Sequence, residues 1–169
     1  MPHWTGEAWQ GGAKLPDATL GWCTLNATGG HPATERGVIR RFTSPRAMTV
    51  TLSGRVQREA EVGNGVLARI VSNRQGQLAE WIVEPKQAVA APISTIELKE
   101  GEMLDFIVES RGDENSDSFD WRAILRAADG ATYGTQSQFR GPLPERRPLT
   151  AWERYAQVLL ATNEFVFVD

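Results

Sequence analysis

The sequence predicts an all-β fold, an antiparallel β-sandwich of jelly-roll type with an irregular N-terminal segment and one C-terminal α-helix. Three observations carry that prediction. Between residues 38 and 126, short apolar or alternating runs recur at regular spacing, separated by turn residues. No helical period interrupts them, which disfavours a parallel sheet built from alternating strands and helices. A helix signature appears only after residue 149. The chain has 169 residues, enough for one domain with a sizeable core and too few for two full ones.

Residues 1–37 are rich in Gly, Pro, Thr and Trp, with Gly11-Gly12 and Gly29-Gly30 pairs and no sustained period. They read as a loop-built wrap. Trp4, Trp9 and Trp22 are costly to leave in water, so this segment is expected to lie on a sheet. The sandwich domain then spans residues 38–140. Its first strand runs from Val38 to Phe42 and stops at Ser44-Pro45. Met48, Val50 and Leu52 alternate with Thr49, Thr51 and Ser53, the period of a half-buried strand. Gly63-Asn64-Gly65, between Val62 and the Val66–Ser72 run, carries a hairpin signal. Leu78 to Val83 follows a turn at Asn73–Gly76. Ile93 to Leu98 leads through Glu100-Gly101-Glu102 into Met103 to Val108, read as a second hairpin. Phe119, Trp121, Ala123 and Leu125 alternate with outward residues to give the last strand.

Residues 141–148 hold three prolines among charges and read as a linker. The final segment, 149–169, is a helix and tail. Thr150 is the N-cap, Glu153 completes a capping box, and Leu149 serves as the staple residue. Trp152, Tyr155, Ala156, Leu159 and Leu160 share one helical face, expected to pack. The tail Phe165-Val166-Phe167-Val168 is apolar and needs a cover.

Composition narrows the function classes. Hydrophobic residues make up 41% and charged residues 23%, ordinary values for a globular protein, with six Trp against two Tyr. The net charge of -3 gives no surplus to neutralise phosphates, so nucleic acid is not an expected partner. No apolar run approaches the length of a membrane span, and the N-terminus does not read as a signal peptide. The single Cys23 forms no internal disulfide, and without CxxC or CxxCH neither a zinc ribbon nor a haem attachment is expected. Both histidines, His3 and His31, sit in loop-like sequence, and no GxSxG, HExxH or P-loop pattern occurs, so catalysis is not expected.

Two features remain as candidate sites. Asp113, Asn115 and Asp117 open with the spacing of a calcium loop, and Asp120 follows. Ser118 in place of Gly and Ile124 in place of Glu exclude an EF-hand. The candidate cofactor is therefore a structural calcium held by Asp113, Asn115, Asp117 and Asp120 in a sandwich loop. A solvated turn is the plainer and preferred reading, because Asp, Asn and Ser also form turns. The tryptophans are the second feature. Sugar rings stack their C–H faces on aromatic planes while nearby polar groups take the hydroxyls. Trp121 and Trp152 fit packing. Trp81 fits the core or a platform at a strand edge. Trp4, Trp9 and Trp22 are the least constrained. The candidate carbohydrate-binding residues are Trp81, Trp22, Trp9 and Trp4.

The segment Leu149-Thr-Ala-Trp-Glu-Arg-Tyr-Ala-Gln-Val-Leu-Leu-Ala-Thr-Asn-Glu-Phe-Val-Phe-Val-Asp169 resembles the closing segment of large planctomycete proteins that carry a cytochrome c-like domain. Val38-Ile-Arg-Arg-Phe-Thr-Ser-Pro45, Gly63-Asn-Gly-Val66 and Asn115-Ser-Asp-Ser-Phe-Asp-Trp121 resemble the carbohydrate-binding-module-like β-sandwich of such proteins. His3-Trp-Thr-Gly-Glu-Ala-Trp-Gln-Gly11 and Gly29-Gly-His-Pro32 fit the same group. The resemblance implies an exported parent protein, periplasmic or at the cell surface, of which this chain is a non-catalytic part. It carries over no site residue, and no redox role follows, since the haem motif is missing from this chain.

The expected function is a non-catalytic module that binds polysaccharide. The alternative is a structural module docking the neighbouring domains of its parent, which the helix and the Phe165–Val168 tail favour. A hydrolase or lyase is the weakest third. A sugar binder leaves at least one Trp exposed beside polar side chains on a concave face or loop rim. A docking module buries its tryptophans and exposes an aliphatic patch.

Overall fold

The computed structural model describes residues 1–143 and 150–161, with side chains of the last stretch described through Val158. Among these, the chain forms two antiparallel sheets facing each other across one core, the expected sandwich.

The first sheet holds nine strands. Its path runs β1 (His3–Trp4), β2 (Ala8–Gln10), β3 (Thr24–Asn26), β4 (Gly29–His31), β12 (Phe119–Ala127), β6 (Met48–Gln57) and β10 (Ile93–Leu98). Two short strands complete it: β13 (Thr132–Gly134) on β12 and β9 (Ala88–Ala90) on β6. The second sheet has the order β5 (Val38–Thr43), β11 (Met103–Ser110), β7 (Val66–Ser72) and β8 (Gly76–Val83). Alternation decides what each strand buries. Phe119, Trp121, Ala123, Leu125 and Ala127 of β12 face Val66, Ala68 and Ile70 of β7 and Leu104, Phe106 and Val108 of β11 in one buried cluster. Trp121 meets Phe106 and Trp81 edge-on, at centroid distances of 5.4 and 6.1 Å. Each such side chain contributes roughly 1.5–3 kcal/mol through loss of water contact.

Three readings are corrected. Residues 1–37 are not merely an irregular wrap, because four short strands join them to the first sheet through the pairing of β4 with β12. These strands are two or three residues each, too short to carry a hydrophobic alternation, so they left no period to read. Gly29 has to lack a side chain, since a Cβ there would strike the carbonyl of Phe119. Neither expected hairpin at Gly63-Asn64-Gly65 nor at Glu100-Gly101-Glu102 exists as a strand pair. β6 pairs with β10, β12 and β9, while β7 pairs with β11 and β8, so both turns carry the chain from one sheet to the other. The turn at Asn73–Gly76 does join a paired hairpin, β7 to β8.

A short helix, α1 (Thr135–Gln138), follows β13. The C-terminal helix, α2 (Ala151–Ala161), forms with its capping box: the Glu153 amide donates to Thr150 Oγ1 at 3.2 Å, and the Thr150 amide donates to Glu153 Oε2 at 2.8 Å. Its expected packing face is instead open, with Trp152 80% exposed. Most of the 141–148 linker, the Leu149 staple, the side chains of Leu159 and Leu160 and the Phe165–Val168 tail lie outside the described residues. No described helix is long and apolar enough to cross a membrane.

Candidate functional site

The structure separates the tryptophans by role. Trp4 and Trp9 are opposed across β1 and β2, with rings 5.3 Å apart. Phe139 lies 5.8 Å from Trp4, Gly141 packs on the Trp4 indole, and Trp9 Nε1 donates to the Arg140 carbonyl at 3.0 Å. Both indoles therefore fasten the segment after α1 to the sheet. Trp81 faces inward against Trp121, so its ring belongs to the core side of β8. Trp22 differs: it stands before β3, is 43% exposed, and lies 6.5 Å from the ring of His31.

His31 is the register partner of Thr24, so Trp22 adjoins the outer face of the first sheet. On that face a groove of about 250 Å³ runs past Thr24, Asn26, Gln57, Glu59, Ser118 and Asp120. Gly30 also lines it. Asn26 is fixed in place because its Oδ1 accepts from the Thr28 and Gly29 amides at 2.9 and 2.8 Å. Burial lowers the His31 pKa, so the imidazole is neutral at pH 7. Chemically the groove offers amide, hydroxyl and carboxylate groups, and no guanidinium or ammonium among its lining residues. Sequence reasoning singled out Trp22 and Asp120 here and missed Thr24, Asn26, Gln57 and Glu59. Outward polar residues on strands are ordinary, and only the strand order gathers these.

The acidic loop has a different purpose. Asp117 is fully buried, and its carboxylate stands 3.1 Å from the guanidinium of Arg58, which is buried equally. Burial pushes the Asp117 pKa up to about 6 against the pull of Arg58. Asp113 accepts from the Asn115 amide at 3.0 Å, an Asx turn. Asp120 lies on β12 opposite Gln57. Among the described residues no three His, Cys, Asp or Glu side chains converge on a point that could hold a metal ion. A calcium ion beside Asp117 would also face the Arg58 guanidinium at close range, so Asp113, Asn115, Asp117 and Asp120 do not fit that ion.

No known family model matches this chain, and no curated protein matches it. Among solved structures it is similar to the Podospora anserina GH26-CBM35 β-(1,4)-mannanase, at 13% identity and a TM-score of 0.36. The similarity covers 78% of this chain and 26% of that one, so this chain spans about a quarter of that protein's length. At that level the ligand has to be argued from the residues of this chain.

Proposed function

We propose that this chain is a non-catalytic module that binds a neutral polysaccharide on the outer face of its first sheet. The observation that carries the reading is the exposed Trp22 indole 6.5 Å from the ring of His31, the register partner of the groove-lining Thr24. Trp22 supplies the stacking plane for a sugar ring. Thr24, Asn26, Gln57 and Asp120 supply donors and acceptors for hydroxyls. Glu59 and Asp120 make the groove acidic, which favours an uncharged chain over an anionic one. The resemblance of the Leu149–Asp169 segment to planctomycete surface proteins supports an exported, multidomain parent. A glycan-array screen of the chain and of Trp22→Ala, with and without EDTA, tests the reading. Binding of a neutral glycan by the parent chain, at least tenfold weaker in the variant and indifferent to EDTA, supports it. A blank array with folded protein, or binding that survives Trp22→Ala, overturns it.

One observation favours a second reading, a docking module for neighbouring domains of the parent. Helix α2 exposes Trp152, Tyr155 and Val158 together, an apolar face without sugar-type polar groups. A blank glycan array combined with capture of the adjoining parent domain, lost in Trp152→Ser, supports that reading.

A further inference from the structure

A larger cleft, of about 350 Å³, opens between the edge strand β5 and the strands β12 and β13 of the facing sheet. Phe42 and Tyr133 form one wall, their rings 5.2 Å apart, and Phe106 lies deeper. Arg40 and Arg140 line the cleft, and no Asp or Glu does so among the described residues.

Arg40 is unusual in this molecule. Three of the described arginines are at least partly buried: Arg40, Arg58 and Arg69. Arg58 faces Asp117 and Arg69 faces Glu109, so each has its counter-charge. Arg40 meets no carboxylate among the described residues: it donates to the Asn26 carbonyl at 2.6 Å and, more weakly, to those of Gly29 and Trp121 at 3.4 Å, and its guanidinium lies 5.6 Å from the centroid of the Phe139 ring. Its Nε is buried and has no hydrogen-bond partner. Burial lowers the Arg40 pKa to about 10, which leaves the group cationic at neutral pH. A buried cation without an anion is unfavourable, and buried charges are ordinarily paired. Arg140, exposed at the mouth of the same cleft, adds a second guanidinium with no carboxylate among the described residues.

We propose that this cleft is a second binding site, which takes an anionic sugar unit between Arg40 and Arg140 with its ring against Phe42 and Tyr133. The shared chemistry is an anionic oxygen group on a body with an apolar face, carried as a carboxylate by a uronate or as a sulfate ester. A planar carboxylate takes two parallel N–H donors, and a sulfate oxygen takes the same donors singly. The aromatic wall accounts for the ring, which a free inorganic anion lacks. This site is independent of the Trp22 groove, whose own acids oppose such a ligand.

The test is calorimetric titration of the whole chain with three probes: an oligogalacturonate, its neutral methyl ester, and a sulfated oligosaccharide. Sodium acetate and sodium sulfate serve as ion-only probes. The expected result is binding of one or both anionic sugars, at least about tenfold weaker for the methyl ester and weaker as salt rises. Arg140→Gln, on an exposed side chain, is expected to weaken binding about tenfold with unchanged thermal unfolding. Arg40→Gln risks the fold because it also loses the carbonyl contacts, so Tyr133→Ala serves as the second variant and is expected to weaken the sugars but not the ions. Trp22→Ala is expected to leave the affinities for the two anionic sugars unchanged, while any methyl ester held in the Trp22 groove is lost with it. The proposal is overturned if neither anionic sugar binds, if the methyl ester binds the Trp22→Ala chain as well as the acid does, if Arg140→Gln and Tyr133→Ala both bind the anionic sugars as the unaltered chain does, or if Trp22→Ala abolishes binding of the anionic sugars. The preference between oligogalacturonate and the sulfated probe identifies the carboxylate or the sulfate ester as the group held.

Discussion

Arg58 and Asp117 form a fully buried ion pair, 3.1 Å apart, at one end of the sandwich. The same guanidinium donates to the Val62 and Ser116 carbonyls at 3.0 and 2.6 Å, so one side chain ties the loop after β6 to the loop before β12. Removing either partner leaves the other charged and buried, which costs about 3–5 kcal/mol. Arg58→Met and Asp117→Leu are each expected to destabilise by that amount in urea unfolding. The double variant is expected to lose less than the sum, because no lone charge then remains.

The pair also sets a pH dependence. The folded Asp117 carboxyl holds its proton up to about pH 6, against an ordinary value of 3.8, so the folded state binds more protons across that window. The contribution of Asp117 to stability is therefore full below 3.8 and declines as pH rises to about 6. The difference in unfolding free energy between the parent chain and Asp117→Asn is expected to fall over that range. A flat difference would sink the assignment.

Glu102 has the opposite sign. Burial raises its pKa, but the Ser72 hydroxyl, the Arg74 guanidinium, the Lys99 amide and the Gln75 side chain together bring it down to about 2. Its stabilisation is present above its ordinary 4.5 and is lost as pH falls towards 2. Glu102→Gln is expected to cost about 1–3 kcal/mol at pH 7 and to match the parent chain near pH 2. Acid unfolding curves of the two proteins check this.

Gly54 lies within β6 with φ of 136°, and a Cβ there would strike the carbonyl of Arg122 on β12. Gly54→Ala combines a disfavoured backbone with a clash at the central strand pair, so a loss above about 1 kcal/mol is expected. Thermal unfolding reads it directly; an unchanged midpoint would refute the register of β6 on β12.

Trp22 and Trp121 are expected to separate binding from folding. Trp22→Ala removes an exposed ring and is expected to change stability by less than about 0.5 kcal/mol. Trp121→Ala empties the centre of the core and is expected to cost about 3–5 kcal/mol. Unfolding curves of both variants, set beside their glycan affinities, give the comparison.

The strands legible in the sequence were those with one wet face. β5, β6, β7, β8, β10, β11 and β12 each left a period of two or a bounded apolar run, and the helix α2 left its capping box. β9 and β13 are three residues each, too short to carry a period. The strand at Met48 reads to Ser53 in sequence and continues to Gln57 in the fold, because Gly54 interrupts the pattern but not the pairing with β12. Asp117 shows the same limit on the site. Its spacing with Asp113 and Asn115 matches a cation loop, while Arg58, fifty-nine positions earlier, is what meets it.

By itself, then, the sequence determined which residues face the core and where the chain turns, because alternation and turn chemistry are local properties of the chain. Only the tertiary structure decided which sheet each strand joins, which tryptophan outside α2 stays open, and which partly buried arginine is left without a carboxylate. Those outcomes depend on partners far apart in sequence: Trp22 keeps its surface and Arg40 lacks a counter-ion because of what β4, β12 and β13 bring beside them, and a one-dimensional pattern holds no record of that.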